Sequence, residues 1–127
     1  MNKNLSIASF LGLTAVILGA FAAHSLKESL SAEAMESMTT GIRYQIYHVI
    51  VLLFVNTYQG FSEKLKNRIS LFFFLGILFF SGSIYAIYML GVSAKSIWFI
   101  TPLGGLLLIV GWLLMLVFFL KKSFSKN

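Results

Sequence analysis

The sequence predicts an all-α integral membrane protein, a bundle of four helices with an amphipathic connector between the first two. Two observations carry that prediction. Four long apolar windows, residues 5–23, 42–58, 69–90 and 97–120, take up most of the 127 residues, and each has close to the ~20 residues a helix needs to cross ~30 Å of hydrocarbon. The composition is 58% hydrophobic and only 11% charged, so no polar residues recur every third or fourth position as they would in a water-soluble bundle. Backbone groups in lipid must bond within their own segment, which leaves helices, and the windows are too long and uniform for barrel strands. Residues 1–127 are expected to form a single membrane domain.

The first window carries Ala8, Gly12, Ala15, Gly19 and Ala22 at alternating four- and three-residue steps. Small residues give nothing to a lipid-facing surface, whereas they let helix backbones approach, so this seam is expected to pack against another helix of the bundle, with a homo-oligomer contact as its alternative use. Lys3 ahead of the run and the small-x-small triplet Ala20-Phe21-Ala22 also have the form of a signal sequence. The spanning length of the run favours a retained helix.

Residues 25–41 form the longest joint and the only acidic one. Leu26, Leu30, Ala34, Met38 and Ile42 step by four, with Glu33 and Glu36 on other faces. That pattern fits an amphipathic interfacial helix or the exposed start of the second span, with Ser31 as its N-cap.

The joint at 60–68 is short and basic, which makes the second and third helices an antiparallel pair. Gly76 and Ser83 in the third window and Gly104 and Gly111 in the fourth recur at seven-residue spacing and can supply matching grooves. Trp98 and Phe99 suit an interfacial belt. Thr101-Pro102 reads as N-cap and first helical residue. Trp112 falls near mid-membrane as a packing residue.

The net charge of +6 comes from basic residues at the window ends, so it is read as a topology signal and no nucleic acid is expected. Lys3, Lys64, Lys66, Arg68, Lys121, Lys122 and Lys126 share one face, against Lys27, Arg43 and Lys95 on the other. Lysine and arginine are retained inside, so both termini are expected to be cytoplasmic and the protein to lie in the cell membrane with the bilayer as its partner.

All four carboxylates, Glu28, Glu33, Glu36 and Glu63, lie in joints, and there is neither aspartate nor cysteine. Proton- and cation-coupled carriers hold ionisable groups within their spans, so the chain lacks the buried carboxylate a small multidrug exporter needs. Nothing supplies a nucleophile with a base and an orienting acid, a phosphate-binding glycine loop or a metal-hydrolase motif. No catalytic residue, metal or cofactor is assigned.

The polar residues that remain gather towards the outer half. His24 closes the first helix, Arg43, Tyr44 and Gln45 open the second, and Tyr47 and His48 follow one turn deeper, His48 ~9 Å below Ile42. Gln45, His48, Asn56 and Gln59 share one side. Tyr85 and Thr101 are expected at the same outer level. The leading expectation is one hydrogen-bonded cluster of His24, Tyr44, Gln45 and His48 that closes the bundle and receives a partner or small ligand. A channel or transporter path, and a haem- or quinone-associated site on the two histidines, are the alternatives.

Five motifs in order resemble a known family. Gly19-Ala20-Phe21-Ala22-Ala23-His24-Ser25-Leu26 is similar to the signature Gly-Ala-Phe-Gly-Ala-His-Gly-Leu, and Tyr44-Gln45-Ile46-Tyr47-His48 to Tyr-Gln-x-Tyr-His. Phe80-Ser81-Gly82-Ser83-Ile84-Tyr85, Thr101-Pro102-Leu103-Gly104-Gly105 and Gly111-Trp112 follow the later motifs. The family is the small bacterial membrane proteins of domain of unknown function 423, related to eukaryotic transmembrane protein 256. The resemblance implies a four-helix cell-membrane protein without an assigned activity, and points to His24, Tyr44, Gln45 and His48.

Overall fold

A computed structural model describes residues 2–125, and Lys126, counted above among the basic residues, lies outside them. The elements are α1 (Asn2–His24), a 3-10 turn at Leu26–Glu28, α2 (Ala32–Thr57), α3 (Glu63–Met89), the short α4 (Ala94–Ile97) and α5 (Ile100–Phe124). Each of the four long helices holds a stretch long and apolar enough to cross a membrane. No strand occurs among the described residues.

Polar caps extend the helices beyond the apolar windows. Ser31 accepts the Ala34 amide at 3.1 Å and starts α2 in the acidic segment. The connector thus shrinks to a few residues, and its amphipathic part becomes the first turns of α2 itself. Ser62 caps α3 in the same way through the Leu65 amide, with Glu63 in the first turn near the positive helix end. At the far end of α3, Gly91 adopts φ +74°, a left-handed conformation that a side chain would strain. Thr101 does not cap α5 as expected. The helix begins at Ile100, because the Leu103 amide reaches the Phe99 carbonyl. Pro102 still sits among the first amides, where a missing N–H costs nothing.

The helices pack in chain order, α1 on α2, α2 on α3 and α3 on α5, and α5 also reaches α2 through Trp112 on His48. Ala8, Ala15 and Ala22 are the buried residues of α1, seven apart, while Phe10, Leu13, Val16 and Ile17 on its other faces are exposed, as lipid contact requires. The seam predicted from the sequence is therefore the α1–α2 interface. A Cβ on Gly12 would stand 3.2 Å from Val49 Cγ1, and one on Gly19 3.8 Å from Ile42 Cγ2. The closest approach is between α3 and α5, where Gly104 lies on the Phe79–Phe80 backbone, Gly76 under Leu108 and Gly111 under Phe73. Fully buried Leu52, Val55, Ile69 and Phe73 fill the centre.

Candidate functional site

The polar side of α2 faces inward. Gln45, His48 and Asn56 are all buried, whereas Gln59 lies beyond the helix end and is exposed. Gln45 Nε2 donates to the Leu11 carbonyl at 2.7 Å and to Thr14 Oγ1 at 3.0 Å, and its Oε1 accepts the Tyr85 hydroxyl at 2.7 Å. One amide thus ties α1, α2 and α3 together, with both N–H groups used.

His48 links α2 to α5. Its Nδ1 lies 2.7 Å from the Tyr44 carbonyl, and its Nε2 is 3.0 Å from the Trp112 indole nitrogen. A carbonyl only accepts and an indole N–H only donates, so the imidazole carries its proton on Nδ1 and is neutral, with Nε2 as acceptor. Tyr44 stacks on Phe80 at 4.9 Å between ring centroids, and Phe73 packs 5.4 Å from the His48 ring. Nearer the connector end, Ser81 donates to the Gly41 carbonyl at 2.6 Å, and Ser83 pairs with Thr101.

The sequence placed this cluster at the outer surface with His24 in it. The structure places it near the middle of the span and leaves His24 out. Gln45 meets α1 at Leu11 and Thr14, halfway along that helix, and His48 meets Trp112 halfway along α5. The contacts of Gly12 with Val49 and Gly19 with Ile42 put exposed His24 level with Ser37, ~16 Å from His48 along the axis. The reason is the early start of α2: ten residues ahead of Ile42 are already helical, and they push the Tyr44–His48 segment deeper. Arg43 and Tyr47 are exposed on the outward face of α2 and make no side-chain hydrogen bond among the described residues, although the Tyr47 ring lies 6.1 Å from that of Tyr44. The structure brings together Tyr44, Gln45, His48 and Tyr85, and holds Thr101 apart on Ser83. It adds Thr14 and Trp112, which sequence reasoning missed. Trp112 showed only as a mid-membrane packing residue and part of the Gly111-Trp112 motif, since its partner lies on a helix distant in the chain.

Between α2 and α5 the sparse packing leaves an open groove of ≈540 Å³, lined by Tyr44, His48, Pro102, Gly105, Leu106, Ile109 and Trp112. His48 and Tyr44 bring the polar groups, and the other walls are largely apolar. The groove lies between two helices that are each long and apolar enough to cross a membrane. Among the described residues no group of three or more His, Asp, Glu or Cys side chains could hold a metal ion.

Four apolar helices joined by buried hydrogen bonds, with apolar residues turned outward, define a multi-pass helical membrane protein. The comparisons with known proteins agree. The family described as "Protein of unknown function (DUF423)" matches residues 18–105, and the chain belongs to it. A "UPF0382 membrane protein" of Haemophilus influenzae is 39% identical over 112 residues, covering 88% of this chain and 89% of that protein. The "UPF0382 inner membrane protein YgdD" of Escherichia coli K12 is 37% identical over 121 residues, covering 89% and 86%. A "UPF0382 membrane protein" of Staphylococcus epidermidis is 38% identical over 109 residues, covering 86% and 88%. No solved structure matches the chain.

Proposed function

We propose that this is a non-enzymatic protein of the cell membrane, both termini cytoplasmic, whose α2/α5 groove takes a membrane-dissolved molecule with an apolar body and a hydroxyl group. The observation that carries the reading is His48 Nε2, an acceptor at the inner wall of a lipid-level groove whose lining is otherwise mostly apolar. Buried ionisable groups within spans are costly and retained for use. A hydroxyl donated to Nε2 would take the place of the Trp112 N–H, and Trp112, about half exposed, has room to turn aside. The Tyr44 phenol, without a hydrogen bond among the described residues, offers a second polar contact. With Nδ1–H held by the Tyr44 carbonyl, the imidazole presents Nε2 as a fixed acceptor that can bind and orient a donor.

The test uses the two tryptophans. Trp98→Phe leaves Trp112 as the sole tryptophan, reporting from the groove. In nanodiscs, a prenyl alcohol such as farnesol should change its emission saturably, the corresponding hydrocarbon should not, and His48→Phe should abolish the response. Equal responses to alcohol and hydrocarbon, or an unaltered response in His48→Phe, would overturn the reading.

A further inference from the structure

The geometry points to a second site at the end of the bundle that carries both termini: an oxyanion site built on Lys66 that takes a phosphate group, free or carried by a phospholipid. Lys3, Lys64, Arg68, Lys121 and Lys122 at that end are all exposed. Lys66 alone among these cations is buried, at 5% exposure. Its ammonium has three N–H donors and, among the described residues, one partner, Glu63 Oε1 at 3.3 Å. Charge-assisted bonds run to about 2.7–2.9 Å, so this one is long. Glu63 is itself 60% exposed and largely hydrated, which leaves it a weak counter-ion for a buried charge.

The ammonium borders a cavity of ≈600 Å³ lined by Leu5, Asn56, Thr57, Gln59, Phe61 and Glu63. Asn56 forms a fixed wall: it donates to the Leu52 carbonyl at 2.9 Å and to Ser70 at 2.8 Å, and accepts from Asn4 at 2.9 Å. Gln59 is exposed and supplies an amide at the rim. A buried cation whose pairing is incomplete is expensive unless a ligand completes it. The exposed lysines and arginine at the same end of the bundle make the potential there positive, which concentrates anions. Phosphate meets both requirements, with several acceptor oxygens for the spare N–H donors. Leu5 and Phe61 give the cavity an apolar wall, against which the first carbons of a lipid can lie.

The experiment uses the full chain in two settings. In maltoside micelles free of phospholipid, inorganic phosphate is titrated and binding is followed by phosphorus NMR line width. In parallel, native mass spectrometry counts phospholipids retained after mild extraction from phosphatidylglycerol-containing membranes. Saturable phosphate binding identifies the free ion as sufficient, whereas retention of lipid without phosphate binding identifies the headgroup. In whichever setting binding occurs, Glu63→Gln should tighten it roughly two- to fivefold by removing the competing carboxylate. Lys66→Met should abolish it, Lys66→Arg should retain it, and Lys64→Gln, an exposed control, should change it little. Absence of both phosphate binding and lipid retention in the wild type overturns the proposal. So does binding that survives Lys66→Met, or that weakens in Glu63→Gln. Should Lys66→Met fail to fold, Glu63→Gln and Lys66→Arg decide the matter, since a purely structural Lys66–Glu63 pair predicts no tightening.

Discussion

Replacing Gly104 by alanine adds one methyl group where α5 crosses α3. The new Cβ would overlap the Phe80 amide nitrogen and stand 2.7 Å from both the Phe79 carbonyl carbon and the Phe80 Cα. Ordinary contact begins at 3.4 Å, so these two atoms alone require the helices to part by ~0.7 Å, and the closer overlap with the Phe80 nitrogen requires more. These are backbone atoms, and no rotamer change relieves the overlap. Separation would also loosen Gly76 on Leu108, Gly111 on Phe73 and the Ser83–Thr101 bond along the same interface. Overpacking of this kind costs ~1–3 kcal/mol, offset by up to ~1 kcal/mol of improved helix propensity. Gly105 is the internal control, because its added Cβ would meet only Phe80 Cδ1 at 3.9 Å. Reversible unfolding in mixed micelles should then show Gly104→Ala destabilised relative to Gly105→Ala by ~1–3 kcal/mol. Equal stability of the two variants would refute the α3–α5 register.

Three further outcomes follow from the same geometry. Gly12→Leu should release α1 from α2 more readily than Gly19→Leu, since Val49 leaves 3.2 Å at the first position and Ile42 3.8 Å at the second; proteolytic release of α1 in micelles would compare them. A double-mutant cycle on His48→Phe and Trp112→Phe should give a coupling of ~0.6 kcal/mol, with ~1.7 kcal/mol as a ceiling; zero coupling would mean that the 3.0 Å bond is not formed in the membrane. A reporter fused after Asn127 should read cytoplasm, and an external signal would reverse the orientation inferred from the distribution of lysine and arginine.

The elements were legible because their signals are local. Apolar run length marks a span, and small residues at seven-residue spacing in three helices mark two interfaces that the structure forms. Depth was not legible. Hydropathy registers where lipid begins, while Ser31 decides where the helix begins, and the turns between them carried Gln45 and His48 to mid-span. Partners distant in the chain were hidden for a related reason: nothing near Trp112 in sequence announces His48, 64 residues earlier. The burial of Lys66 was hidden in another way. In a run with Lys64 and Arg68 it counts as one more topology signal, and only the turn of α3 reveals that it points inward.

Packing in strict chain order has a consequence for how the protein is made. Each long helix after the first packs against the long helix that left the ribosome just before it, so pairing can proceed during insertion without waiting for a distant segment. Loop closures are short, and the search at each step is local. The exception is the return of α5 to α2, through His48–Trp112 and through Lys122 on the Tyr58 hydroxyl at 2.9 Å. That closure can form only after the last helix has entered the bilayer. Until then the cleft beside His48 stands open to lipid along one whole side, and a nascent chain meets its surroundings there before it meets its own final helix.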